Sequence, residues 1–312
     1  MKIVVVGAGA MGCLFGGLLA ERGEEVVLLD VAGRHLAALQ AEGLVLRTDA
    51  GERRIAVTAG LAADFAGVCD LAIVFTKGPH TEAAIRDAAH LIGARSWALT
   101  LQNGLGNAEI IAGAVPQASV AIGMTSWPAD LQAPGRVASH GQGDVRLWSR
   151  DGQADPALER IAALLSAAGL NAVADAAVEV AIWEKVAFNA GMNPVSAVTR
   201  LPVGLMADHP AGPSLARSIV AETLAVARAR GLAVDAARVE RMIAMAFAEQ
   251  RAHVPSMLQD VLAGRPSEIE TINGAVVAQG EALGVATPVT RAVRDLVRLI
   301  DYRLATGAGG GS

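Results

Sequence analysis

Two hydropathy rhythms divide the chain. Up to about Asp175 short apolar runs alternate with stretches whose apolar residues recur every three to four positions; beyond it the helical spacing continues almost without interruption. The first rhythm is that of a parallel sheet, whose strands are buried on both faces and joined by crossover helices. Apolar runs predict strands at Lys2 to Val6, Val26 to Leu29, Leu71 to Phe75 and Trp97 to Leu101, with helices near Gly12 to Arg22, Ala32 to Glu42 and Thr81 to Leu91. From Ala118 to Trp148 strand-like pieces are broken by Pro128, Pro134, Gly135, Gly141 and Gly143, which reads as an antiparallel finish to the sheet. A helix follows at Leu158 to Ala168, then an edge strand at Ala172 to Val173. The second rhythm predicts helices over 177–197, 213–230, 236–251, 255–263, 268–283 and 288–305.

The pattern therefore predicts an α/β domain over 1–175 and an all-helical domain over 176–305. A glycine-rich tail over 306–312 has almost nothing to bury and is expected to be disordered. Composition adds that the core is built from Ala, Val and Leu: 53% of the 312 residues are apolar but only 3% aromatic. A net charge of −5, without a dense Lys/Arg run, speaks against a nucleic-acid surface. Cys13 and Cys69 lack metal-ligand or redox-pair spacing and are expected to be reduced, packed thiols of a cytoplasmic protein. The six histidines are scattered, so no metal is expected.

The uncharged run from Ile3 to Ala20 is long enough to suggest a membrane segment or signal peptide. Its glycines argue otherwise. Val4-Val5-Val6 stops at Gly7, and Gly9, Gly12, Gly16 and Gly17 suit a turn followed by a closely packed helix; no membrane partner is expected. Gly7-Ala8-Gly9-Ala10-Met11-Gly12 fits G-x-G-x-x-G between a strand and a helix. In that setting the first glycine permits the turn, the second lets a pyrophosphate approach the backbone, and the third closes the helix onto the sheet. The helix N-terminus offers unpaired N–H groups to the anion. Together these define a Rossmann-type dinucleotide-binding domain. Asp30 ends the second strand, where a carboxylate can hold the adenosine ribose and repel a 2′-phosphate, favouring NAD(H) over NADP(H); a helix-capping role is the alternative, and Arg34 or Lys77 could still hold a phosphate.

The segment Trp183-Glu-Lys-Val-Ala-Phe-Asn-Ala-Gly-Met-Asn-Pro194 sets a lysine and two asparagines on one face of an apolar helical pattern. Lys185, Asn189 and Asn193 fall within about 80° of one another on a helix, although Gly191 and Pro194 weaken or kink it near Asn193. Such a stripe is either a substrate-facing surface or an ordinary solvated face. Asn103, in Gln102-Asn-Gly104, follows a strand at its carboxyl end, where doubly wound folds bind ligands; an Asn-Gly turn explains it equally well. Ser267 and Glu270 have capping-box spacing, a structural explanation for Glu270. Glu268 has less of one.

Taken together, Gly7 to Gly12, Thr76-Lys77, Gln102-Asn-Gly104, Trp183-Glu-Lys185 through Asn189 to Asn193-Pro194, Ser256-Met-Leu-Gln-Asp260, Glu268-Ile-Glu270 and Ile272-Asn-Gly274 resemble the ketopantoate reductase (2-dehydropantoate 2-reductase) family. The resemblance runs from Lys2 to about Tyr302. It implies NAD(P)H-dependent reduction of ketopantoate to pantoate, as in pantothenate biosynthesis, in a cleft between the two domains. By resemblance Lys185 is the proton donor, Asn103, Asn189, Asn193 and Ser256 bind substrate, and Asn103 and Glu268 touch the cofactor. The chemistry suits these groups independently: hydride addition to a ketone leaves an alkoxide, which an ammonium both stabilises and protonates.

Two features depart from the family pattern. Asp30 stands where NADPH-dependent members more often carry a basic or neutral residue. Trp127, in Gly123-Met-Thr-Ser-Trp-Pro128, is bulky in a region that is usually small and polar, and either reshapes the pocket or fills a core gap. Two alternatives follow: the same chemistry on another 2-oxo or 2-hydroxy acid, or a non-catalytic NAD(P)-sensing protein. The apolar helical domain is expected to support a homodimer.

Overall fold

The protein is described by a computed structural model over residues 1–306. The tail expected over 306–312 lies outside the described residues except for Thr306, which is helical. Along the chain run β1 (Lys2–Val6), α1 (Ala10–Glu21), β2 (Glu25–Leu29), α2 (Arg34–Glu42), β3 (Leu44–Thr48), β4 (Gly51–Ile55), β5 (Thr58–Gly60), β6 (Cys69–Val74), α3 (Thr81–Ala88), β7 (Ile92–Thr100) and α4 (Asn107–Ala114). Next are β8 (Ser119–Thr125), β9 (Asp130–Ala133), β10 (Arg136–Ala138), β11 (Val145–Ser149), α5 (Pro156–Ala167) and β12 (Ala172–Ala174). The helices α6 (Val178–Thr199), α7 (Val203–Asp208), α8 (Ala211–Ala229), α9 (Ala236–Glu249) and α10 (Ser256–Leu262) follow, then a π-turn (Glu270–Gly274), α11 (Ala275–Leu283) and α12 (Pro288–Thr306).

Two compact units result: Met1–Gln102 with Asn107–Val178, and Asn103–Gly106 with Glu179 onward. The first is an eight-stranded sheet in the order β12-β11-β8-β7-β6-β1-β2-β5. All neighbours are parallel except β11 against β8. In β1 the alternation of faces is explicit: Ile3 and Val5 join the core of α1 and α5 (Leu14, Phe15, Leu158, Ile161), while Val4 and Val6 join that of α3 and α4 (Ile85, Ile111). Both faces need apolar residues, which is why the strand reads as a continuous apolar run.

The segment 118–148 does not simply finish that sheet. β8 and β11 do, but β9 and β10 leave it and form a second, four-stranded sheet, β4-β3-β10-β9, in which β10 runs parallel to β3 and antiparallel to β9. The apolar pattern predicts no strands over 44–60, so the partner of β10, strand β3, appears only in the fold. Leu44, Leu46 and Ile55 of this sheet reach the α1 core, and a Cβ on Gly17 would stand 2.6 Å from Leu44 Cδ2. The glycines of the N-terminal run thus serve close packing.

The second unit is built around α6. Trp183, Val186, Ala187, Ala190, Met192, Val195 and Ala197 are buried with Ala216, Ile219 and Leu224 of α8, Val239 and Ile243 of α9, and Val293 and Val297 of α12. Gly191 allows α8 to approach, since a Cβ there would lie 2.9 Å from the Ala216 carbonyl oxygen. Glu184, 3% exposed, is fully used: Oε1 accepts from the Asp235 N–H at 2.9 Å and Oε2 from Arg238 Nη1 at 2.8 Å. The helix is not ended by Pro194; it runs on to Thr199.

Candidate active site

In the first unit the carboxyl ends of β1, β2 and β6 lie side by side, and the chain passes from β1 to β2 on one side while β6 sits on the other. That is a topological switch point, where open parallel sheets bind ligands. Gly7 and Ala8 donate their N–H groups to the Leu29 carbonyl at 2.9 and 3.0 Å. Gly7 has φ +97°, and a Cβ on it would meet the Thr76 nitrogen at 2.6 Å; a Cβ on Gly12 would stand 1.9 Å from the Gly7 oxygen. Protein packing therefore accounts for both. Gly9 is different: its backbone is ordinary, and among the described residues a Cβ there would meet no atom within 4 Å beyond its own chain neighbours. Space is kept over the one glycine that packing does not require, at the N-terminus of α1 beside Ala10 and Met11. A dinucleotide pyrophosphate fits this cradle.

Asp30 follows β2 and its Oδ1 accepts the Val31 N–H at 2.7 Å. Lys77, half-buried, follows β6, and Arg34 is exposed at the first turn of α2. Sequence reasoning missed His35. Its Nδ1 accepts from the Gly135 N–H at 3.0 Å, so the proton sits on Nε2, which donates to the Ala8 carbonyl at 2.7 Å. The ring ties the glycine turn to the second sheet, a contact without any local sequence signal. Trp127 fills a core gap: its Nε1 donates to the Leu170 carbonyl at 2.8 Å, and it packs over Gly143.

In the second unit Lys185 is half-buried on α6, with Asn189 and Asn193 buried one and two turns further along the same face. Burial pushes the Lys185 ammonium down to about 8, against the opposing pull of Glu268. Glu268 is half-buried just before the π-turn. The Asn103 segment docks on that turn: the Leu105 N–H donates to the Thr271 carbonyl at 2.8 Å. Gly104, at φ +86°, is required because a Cβ would lie 2.3 Å from the same oxygen. This unit therefore gathers Lys185, Asn189, Asn193, Glu268 and the Asn103 turn. Ser256 is exposed in the first turn of α10.

The capping box at Ser267 and Glu270 does not form. Ser267 Oγ donates to Asp301 Oδ2 at 2.7 Å, and Glu270 is clamped by Arg298 at 2.6 Å through both oxygens. A strong long-range guanidinium partner outcompetes the local backbone. Glu270 is structural, as its spacing suggested, but for another reason.

A Rossmann-type sheet carrying this turn, followed by a helical unit with a lysine and amide stripe, defines a class of dinucleotide-binding oxidoreductases. The family described as "Ketopantoate reductase PanE/ApbA" matches residues 3–152, and its C-terminal counterpart matches 177–301. The 2-dehydropantoate 2-reductase of Streptococcus pyogenes serotype M3 is 33% identical over 95% of this chain and 97% of its own. That of Halobacterium salinarum is 34% identical over 96% and 98%. A solved ternary structure of D-mandelate dehydrogenase with NADH and anilino(oxo)acetate superposes with a TM-score of 0.92 at 32% identity, covering 98% of this chain and all of that one. The chain belongs to the ketopantoate reductase family of oxidoreductases acting on CH–OH groups.

Proposed function

We propose that this protein reduces a 2-oxo acid to the 2-hydroxy acid at the expense of NADH, with 2-dehydropantoate, reduced to pantoate, as the first candidate substrate. One observation carries the proposal: a half-buried lysine with its pKa lowered to about 8 stands on one helix face with two neutral amides. A reduced nicotinamide, when bound, supplies the hydride. Lys185 Nζ polarises the carbonyl oxygen and gives it a proton as charge develops there. Asn189 and Asn193, with Asn103 and Ser256, hold the carboxylate and the far hydroxyl by neutral donors that leave the lysine's charge unopposed. Glu268 keeps the ammonium from falling further in pKa and borders the nicotinamide. Gly7 to Gly12 take the pyrophosphate, with Lys77 beside them.

Asp30 supports NAD(H), since a carboxylate at the ribose repels a 2′-phosphate. The same feature favours a second reading, an NAD-dependent dehydrogenase of another 2-hydroxy acid, in line with the likeness to a D-mandelate dehydrogenase crystallised with NADH. Two buried thiols suit a cytoplasmic protein. A stripe of Leu296, Leu299 and Tyr302 on α12, 48%, 65% and 67% exposed, supports a homodimer. Steady-state rates on a panel of 2-oxo and 2-hydroxy acids, each with both nicotinamides, test the reading. Turnover of 2-dehydropantoate with NADH is expected. Turnover of another acid alone would move the substrate, and tight NAD(H) binding without turnover of any would overturn the enzymatic reading in favour of a sensor.

A further inference from the structure

Helix α6 contains a defect at a sensitive place. Pro194 has no N–H, so the carbonyl four residues earlier, that of Ala190, loses its helical donor. Ala190 is fully buried, and solvent cannot replace the bond. Asn189 precedes that carbonyl and Asn193 precedes the proline, so the gap lies between the two amides of the stripe, one turn beyond Lys185.

The Asn273 side chain supplies the missing donor. Its Nδ2 donates to the Ala190 oxygen at 3.1 Å from a residue 83 positions away, and Asn273 is itself 0% exposed. The amide does not earn this position on its own account, because its Oδ1 has no hydrogen-bond partner among the described residues. A leucine of similar size would fill the space without burying an unpaired oxygen. What a leucine lacks is the N–H group. Asn273 belongs to the π-turn Glu270–Gly274, in which the Gly274 N–H reaches back to the Ile269 carbonyl at 2.8 Å. Inserted π-turns of this kind often mark functional sites. The turn's Thr271 carbonyl also receives the Leu105 N–H, so one five-residue turn holds both the Asn103 segment and the broken rung of α6.

We infer that Asn273 is a positioning residue: it replaces the hydrogen bond that Pro194 removes and thereby fixes Asn189 and Asn193 relative to Lys185. The kinetic part of this inference rests on the reductase reading; the structural part does not. The two are tested with Asn273→Leu, Pro194→Ala and the double variant. Alanine at 194 restores the backbone N–H, which makes the asparagine's amide redundant.

In Asn273→Leu, kcat for the 2-oxo acid is expected to fall about tenfold or more while KM for the nicotinamide stays unchanged, as misplacement of substrate-holding groups would give. Hydrogen exchange over Val186 to Val198 is expected to speed up. In Pro194→Ala/Asn273→Leu both should return to within about threefold of the Pro194→Ala values, since the two sites share one bond. Full folding of the double variant where Asn273→Leu alone does not fold would also support the inference. Unchanged exchange in Asn273→Leu, or a folded double variant no better than the single one, overturns the inference. Faster exchange with unaltered kcat overturns its positioning role. Should the wild-type protein turn over no 2-oxo acid, the reductase reading fails by that result alone, and the exchange comparison still decides the role of Asn273 in the helix.

Discussion

If Lys185 is the acid of the proposed reaction, a single proton on it bears on both activity and stability. Its ammonium is held down to about 8 by burial, so the reduction, which needs the charged form, should run at full kcat below about pH 7 and decline as pH rises through 8. Oxidation of the hydroxy acid needs the neutral amine and should show the opposite limb. Lys185→Met should lower kcat by about 10²- to 10⁴-fold. The same substitution should raise stability, because a lysine with a folded pKa below its unfolded value penalises the folded state while charged. The penalty, on the order of 1–3 kcal/mol, is complete below pH 8 and is relieved as pH climbs toward the unfolded value. Thermal unfolding of both proteins at pH 7 and pH 10 checks this: a Tm gain that persists undiminished at pH 10 would contradict the assignment. Asp30 offers a separate test. Asp30→Ser should raise kcat/KM for NADPH relative to NADH by about tenfold or more, as removal of a repelling carboxylate predicts. Lys185 and Asp30 stand out in the sequence because the signal of each is local: one interrupts an apolar helical pattern, the other ends a strand. The bonds made by His35 and by Asn273, which the sequence shows only as part of the Ile272-Asn-Gly274 segment, are not local, since each serves a backbone carbonyl set by the fold: Ala190, 83 residues from Asn273, and Ala8, 27 residues from His35.

At the scale of elements, the glycine turn separates what folding needs from what binding needs. Gly12→Ala would place a Cβ 1.9 Å from a backbone oxygen that cannot step aside, so it should cost about 2 kcal/mol or more, or prevent folding. Gly9→Ala should leave Tm within about 1 °C, because the backbone there suits any residue and the space is open, yet weaken NADH binding by about tenfold or more. Calorimetry of both variants, with fluorescence titration of NADH, distinguishes them; equal affinity in Gly9→Ala would remove the turn from the cofactor site. Strand β1 was readable because both of its faces are buried and it appears as Ile-Val-Val-Val. Strand β4, Gly-Glu-Arg-Arg-Ile, was not, for only Ile55 is buried while Glu52 and Arg53 pair with Arg136 and Glu21. Its identity as a strand comes from β3 beside it. The small second sheet, and the escape of β9 and β10 into it, follow from pairings that no single segment announces.

For the whole molecule, the alternation of rhythms located the change from sheet to helix, since a buried sheet and a helical bundle demand different periods. It did not reveal that Asn103–Gly106 groups with the helical unit, because that depends on a backbone bond to Thr271. The remaining question at this scale is self-association. Among the described residues, Leu296, Leu299 and Tyr302 form an apolar stripe along α12, flanked by Arg298 and Arg303, a surface that a lone chain leaves in water. Apposition of two copies through this stripe would bury the same residues on both, as a twofold contact requires. Light scattering of the wild-type protein at about 10 µM should give twice the 31.8 kDa of one chain, typical of stable twofold dimers. Leu299→Glu should return a single chain, because two carboxylates would face each other across the axis. At matched chain concentration its Tm should fall toward that of a lone chain and lose its dependence on concentration, since association of native chains stabilises them by mass action. A wild-type mass of one chain, or a Leu299→Glu protein that still scatters as two, would place any interface elsewhere.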